Sequence, residues 1–148
     1  MPGKIIRVEL SQRNDYRFDI AFDQGMPVLT SDEPAPLGTG LGPSPVQMLC
    51  AAVGNCLSDS LLFAFRKFKQ QPDPIQCVVT AEVGRNEDNR LRVLQMTAQI
   101  RIGALASSLQ QVDHVLTQFE EFCTVTQSVR QGIPITVEVF DGSGTQIK

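Results

Sequence analysis

The stretch GPSPVQMLCAAVGNCLSDSLLFAFRKF, residues 42–68, decides how this chain is read. Ser44 fits the N-cap, Pro45 the first helical position and Gln47 the third, so a capping box with a pre-organised first turn is expected. Leu49, Val53, Cys56, Leu57, Leu61, Ala64, Phe65 and Phe68 then recur at helical spacing. The basic run Arg66 to Lys69 suits the negative end of the helix dipole, and Pro72 and Pro74 close the segment. The apolar stripe is broad and few charges precede Arg66, which predicts a central, largely buried helix. Gly54, two residues before Cys56, costs about 1 kcal/mol against Ala in a helix interior. Close approach of another helix, of a substrate beside Cys56, or plain tight packing would each account for it.

Upstream, Ile6, Val8 and Leu10 alternate with charged residues, and SQRND supplies a turn. Tyr16, Phe18, Ile20 and Phe22 alternate against Arg17, Asp19, Ala21 and Asp23, which predicts a strand with one wet face. Residues 24–45 are rich in Pro and Gly, with a short strand at Val28 to Thr30. A loop of that length is either functional or carries the first strands to a neighbouring subunit. Downstream, Ile75, Cys77, Val79, Ala81 and Val83 mark one strand face, Asn86 to Asn89 a polar turn, and 90–102 the return strand. A second amphipathic helix is expected over 107–122 and a short helical turn over 124–131, ending at Gly132. Ile133 to Phe140 reads as the last strand, followed by a polar tail. The order has too little strand–helix alternation for a doubly wound parallel sheet. It predicts an α+β fold, mainly antiparallel sheet covering a central helix.

A chain of 148 residues fits a single domain, 1–148, long enough to bury a core. Its apolar and charged fractions, 42% and 20%, belong to an ordinary folded protein, and a net charge of −3 leaves no basic footprint for nucleic acid. MPGKIIRVEL holds no long apolar core of a secretory signal, and no stretch reads as a bilayer span of roughly 20 apolar residues. The expectation is therefore a cytoplasmic protein without a membrane partner. In a reducing compartment four cysteines do not make a static disulfide framework, and any disulfide is transient and catalytic. No CxxC is present, and the single histidine, His114, has no cysteine nearby in sequence, which argues against zinc.

The residues that carry chemistry are Cys56 in CAAVGNCLSDSL and Cys123 in FEEFCTVTQSVRQGIPI. If folding brings them together, the pair can do reversible thiol–disulfide chemistry; otherwise both are small buried hydrophobes. Cys56 is mid-helix, where the dipole helps little, and Asp59 would raise a neighbouring thiol, so a cation from elsewhere is needed to activate it. Arg13 and Arg17 in the first hairpin are the candidates, each also readable as a solvated surface residue. Cys123 precedes a helical segment where Thr124 or Thr126 could cap exposed amides, with Phe119 and Phe122 as apolar neighbours. Cys50 and Cys77 read as packing residues, His114 as a surface or boundary residue, and Glu120 and Glu121 as a solvated face.

On these residues the chain resembles the family of osmotically inducible protein C and the organic hydroperoxide resistance proteins. GPSPVQMLCAAVGNCL is similar to that family's first cysteine motif and FCTVTQSV to its second, in matching order and separation. The resemblance implies an α+β fold in an intertwined homodimer, with two central helices packed between sheets and a site at each subunit interface. It further implies thiol-dependent reduction of organic hydroperoxides without metal or haem, Cys56 being peroxidatic and Cys123 resolving. Electrons would come from dihydrolipoyl groups or another dithiol.

One position departs from the pattern. The hydroperoxide-resistance branch carries a glutamate just after the proline of the first motif, where it orients an activating arginine. Here Val46 follows Pro45 and Gln47 comes next, neither of them a carboxylate. The arginine belongs to the first hairpin, which offers Arg17 and Arg13. Two functions stay open: a cysteine peroxidase, and a non-catalytic dimer of the same fold that binds a small apolar ligand or senses redox state. Proximity and exposure of the two sulfurs discriminate between them.

Overall fold

The computed structural model describes residues 3–148. Three strands open the chain: β1 (Glu9–Asn14), β2 (Arg17–Ala21) and β3 (Leu29–Ser31), an antiparallel sheet in that order. Leu10 faces Ile20 and Gln12 faces Phe18, after which the register slips and Arg13 bulges out between Gln12 and Asn14. The strand thus runs through the SQRND segment expected to turn, and the reversal falls at Asp15 and Tyr16, with Asp15 in the left-handed region at φ 51°. A bulge absorbs one residue and lets pairing continue past polar side chains, which alternation alone does not reveal.

Helix α1 (Pro45–Lys67) starts as the sequence predicts. Gln47 N–H donates to Ser44 Oγ at 3.3 Å and Ser44 N–H to Gln47 Oε1 at 2.9 Å, a reciprocal capping box. Val53, Leu57, Leu61 and Phe65 are buried along one face. The opposite side, with Ala51, Ala52, Asn55 and Asp59, is exposed, and Phe63 there is 70% exposed. The expectation of a largely buried helix therefore holds for one face only, because apolar spacing does not say what covers the other side. By length and composition α1 is also apolar enough to cross a bilayer, contrary to the sequence expectation. A core helix of a folded protein passes that same test.

β4 (Gln76–Arg85) and β5 (Leu91–Arg101) pair in a second sheet. Asn86 organises their turn, its Oδ1 accepting from the backbone N–H groups of Asp88 and Arg90. So short a connection makes the pair antiparallel. Beyond β5 the expected helix over 107–122 is broken into a 3-10 turn (Ala106–Ser108), α2 (Val112–Gln118) and a second 3-10 turn (Phe119–Phe122). α3 (Thr124–Gln131) follows and stops at Gly132, whose φ of 79° suits glycine. Residues 133–140 form no ladder apart from a bridge between Phe140 and Gln146, and Ile135 is 82% exposed. The alternation expected of a last strand is present, but only its end is paired, Val139 and Phe140 meeting residues 146–148 of the tail.

The chain groups into two compact units, each with its own packing. One comprises the described residues up to Gly54 together with Cys77–Gln99. Here Gly54 lies under β4: a Cβ on it would sit 2.7 Å from Val79 Cγ2 and 3.3 Å from Cys77 Sγ. Strand packing, not a helix or a substrate, is what holds this position to glycine. The other unit comprises Asn55–Gln76 and Ile100–Lys148. Its core is Leu61, Phe65 and Val115, flanked by Ile100, Ile102, Leu109 and Phe119. Packed helix and antiparallel sheet make this an α+β fold, as the element order predicts.

Candidate active site

Cys56 and Cys123 belong to the same compact unit, and folding brings them together. α1 carries Cys56 half-buried in its mid-section. Cys123, fully buried at 0% exposure, caps the N-terminus of α3 in extended conformation (φ −83°, ψ 96°). The two thiols hydrogen-bond to each other. The Val125 backbone N–H, in the first turn of α3, donates to Cys56 Sγ at 3.4 Å. Cys123 Sγ donates to Thr126 Oγ1 at 3.0 Å, and Ser60, one turn after Cys56 on α1, also hydrogen-bonds to Cys123. A hydroxyl rotates, so Thr126 can turn and donate to a thiolate instead.

This cradle splits the two thiols. Burial raises Cys56 above the ordinary thiol value, and its hydrogen bond to Cys123 raises it further, against the opposing pull of the Val125 amide. Burial also works to raise Cys123. The hydrogen bonds from Cys56, Thr126 and Ser60 outweigh it and leave Cys123 below the ordinary value. The pair therefore titrates as a unit, with ionisation favoured at Cys123 over Cys56.

Several sequence expectations change here. Neither Thr124 nor Thr126 makes a side-chain cap on α3. Thr126 turns inward to the Cys123 sulfur. The α3 amides serve both sulfurs: that of Thr126 helps hold Cys123 down, as expected, and that of Val125 donates to Cys56, giving this mid-helix thiol dipole help that its own helix lacks. Phe122 does not enclose Cys123 but is 69% exposed, while Phe119 packs on the core of the unit. Cys50 and Cys77 are half-buried, and Cys77 packs beneath the helix at Gly54, in keeping with packing roles. His114 is exposed and meets the edge of Phe68, with ring centroids 5.6 Å apart. Glu120 takes up Arg130 at 3.2 Å on the surface. Among the described residues no group of three or more His, Cys, Asp or Glu could hold a metal ion.

The two arginine candidates both lie in the other unit, and they differ. The bulge aims Arg13 at Asp19, whose Oδ2 is 2.7 Å from Nη1, an exposed ion pair of little energetic weight. Arg17 is only 26% exposed at its side chain. Its Nη2 donates to Thr39 Oγ1 at 2.9 Å, and its Nε lies 3.9 Å from Asp32 Oδ2. Arg17 therefore does not project as a solvated residue from a wet strand face. Sequence reasoning missed Asp32, Thr39, Ser60 and the Val125 amide. An acidic pair, Asp32 and Glu33, in the Pro- and Gly-rich loop was the one signal available for Asp32. A backbone amide leaves no side-chain signal at all.

The comparisons agree with this architecture. Residues 38–138 match the family model described as OsmC-like protein. An OsmC-like protein from Mycoplasma pneumoniae superposes with a TM-score of 0.71 at 15% identity, covering 88% of this chain and 89% of that one. The organic hydroperoxide resistance protein OhrB of Bacillus subtilis gives 0.66 at 16% identity, covering 90% and 96%. One from Elizabethkingia anophelis, with thiocyanate bound, gives 0.67 at 14% identity, covering 89% and 92%. At such identities the likeness is one of fold. No curated protein matches the sequence. With two thirds of its length matched by the family model and its fold shared by these structures, the chain belongs to the OsmC-like protein family.

Proposed function

We propose that this protein is a thiol-dependent peroxidase that reduces organic hydroperoxides through Cys56 and Cys123. The observation that carries the proposal is the hydrogen-bonded thiol pair, with an α3 amide on one sulfur and a hydroxyl on the other. Access decides which thiol attacks. Cys123 is the easier to ionise but is sealed from solvent, whereas Cys56 is half-exposed. Transfer of the shared proton from Cys56 to Cys123 puts the nucleophile where a peroxide can meet it.

The Cys56 thiolate attacks the terminal peroxide oxygen, the O–O bond breaks, and the alkoxide leaves as alcohol on taking a proton. Cys56 becomes a sulfenic acid. The Cys123 thiol then attacks the Cys56 sulfur, forming the disulfide and releasing water. An external dithiol, of which a dihydrolipoyl protein is one form, restores both thiols and is itself oxidised to a disulfide. Arg17 supplies positive charge to the peroxide in this reading. The working form is a homodimer, in which a second copy covers the exposed side of α1 around Phe63 and pairs the strand-like residues 133–140. Its place is the cytoplasm, where dithiols are maintained, with neither nucleic acid nor membrane as partner.

Free thiols counted before and after one equivalent of cumene hydroperoxide test the reaction. Two thiols per chain are expected to disappear rapidly. Cys56→Ser should abolish the loss, and Cys123→Ser should leave a sulfenic acid that dimedone traps. Loss no faster than that of free cysteine would reject the peroxidase and leave a ligand-binding or redox-sensing dimer of the same fold.

A further inference from the structure

Arg17 has an acid partner in the loop after β3. Asp32 directly follows β3 and is 3% exposed. Its Oδ1 accepts from Glu33 N–H at 2.8 Å, and its Oδ2 from Thr39 Oγ1 at 2.6 Å and from the N–H groups of Thr39 and Leu41 at 3.2 Å. The loop closes tightly around it. A Cβ on Gly38 would overlap the Glu33 carbonyl and Asp32 Oδ1, and one on Gly42 the Thr30 carbonyl. The Thr39 hydroxyl hydrogen bond leads in holding this carboxyl down at about 2, and the three backbone amides add to it against burial. Asp32 is thus a fixed negative charge at any working pH.

Thr39 joins this acid to the arginine. A threonine hydroxyl has one proton and two lone pairs. The proton is given to Asp32, so a lone pair is left to accept from Arg17 Nη2 at 2.9 Å. The guanidinium is fixed at that corner and drawn electrostatically toward Asp32. Its Nε is buried and has no hydrogen-bond partner among the described residues. A cavity of about 230 Å³ borders the Arg17 residue, lined also by Asn14, Asp32, Leu37 and Thr39. A free arginine side chain carries roughly 2 kcal/mol of rotamer entropy, and here much of it is given up in advance.

We propose that Asp32, acting through Thr39, is the positioning carboxylate of Arg17: it holds the guanidinium in one orientation with a donor left for an incoming oxygen. It stands in for the acid that Val46 cannot provide. Use of that donor by a peroxide rests on the proposed function, whereas the positioning itself does not.

Two measurements on the full chain separate these statements. The Arg17 Nε–H signal, followed by nitrogen-15 NMR, reports orientation whether or not a reaction occurs. Its exchange with water is expected to quicken at least tenfold in Asp32→Asn and in Thr39→Val, and to stay near the native rate in Thr39→Ser. Thr39→Val keeps the Asp32–amide contacts, so it reads out even if Asp32→Asn loosens the loop. Unchanged exchange in both variants would overturn the proposal. In the second measurement, peroxide-driven thiol loss should fall equally in Asp32→Asn and Arg17→Ala, by tenfold or more. The double variant should be no slower than Arg17→Ala. Multiplying losses would show that Asp32 acts independently of Arg17, against the proposal. A native protein inert to peroxide would reject the peroxidase reading, and the exchange rates would still decide the positioning.

Discussion

Two thiols that hydrogen-bond to each other cannot ionise independently, and the groups around Cys56 and Cys123 decide where the charge settles. Of the two hydroxyls on Cys123, that of Thr126 weighs more than that of Ser60, its Oγ1 lying 3.0 Å from the sulfur. Thr126→Val keeps the shape and removes the hydroxyl. The Cys123 thiol should then rise, so its attack on a Cys56 mixed disulfide should need a higher pH. Ellman's reagent reads this directly, because it labels Cys56 first and Cys123 then expels the second thionitrobenzoate. Near neutral pH that second release should slow about tenfold, the scale of one hydrogen bond to a charged sulfur. Thr126→Ser should restore it. The sequence names Thr126 only as a helix cap. Its actual partner is set by where α1 runs past α3, which no local pattern records.

Among the elements, α1 was the most legible. Ser44, Pro45 and Gln47 spell out a start that backbone chemistry makes almost unavoidable, and the capping box forms as read. The helix expected over 107–122 was the least legible. Its apolar spacing is right, yet Gln111 takes a left-handed φ of 60° and the chain re-starts there. Short segments obey the core they pack on, here Leu61 and Phe65, before their own periodicity. Gly54 tests the packing of α1 on β4. Alanine would gain about 1 kcal/mol in helix propensity. It would also press a methyl against Val79 Cγ2 at 2.7 Å, and Val is too short and stiff to swing away. Overpacking costs about 1–3 kcal/mol, so Gly54→Ala should be neutral to destabilising, by up to about 2 kcal/mol in urea unfolding. Gly54→Ala with Val79→Ala should recover part of the loss.

At the scale of the whole molecule, several large apolar side chains stand open. Phe63 on α1 and Ile133, Ile135, Val137 and Phe140 in the final segment are all more than half exposed. Burial of an aromatic side chain is worth about 1.5–3 kcal/mol, so Phe63 alone is a sizeable reason to associate. The native protein should sediment as a dimer, and Phe63→Arg should shift it to monomer or weaken association at least a hundredfold. A native monomer would remove the second copy from the proposal. The α+β class was readable from element order because alternation and caps are local signals. The two cysteines that fold together were readable in their motifs. Asp32 and the α3 amide were not: a loop gathers Thr39 and three backbone amides onto the Asp32 carboxylate, and the Val125 amide has no side-chain signal.

Cys123 caps α3 while its sulfur faces a helix roughly 70 residues earlier in the chain. A bond between those sulfurs would close a loop of that size and narrow the unfolded ensemble by about 4 kcal/mol. The oxidised chain would then outlast the reduced one against proteases, so that each turnover would leave the protein, until a dithiol arrives, in its longer-lived form.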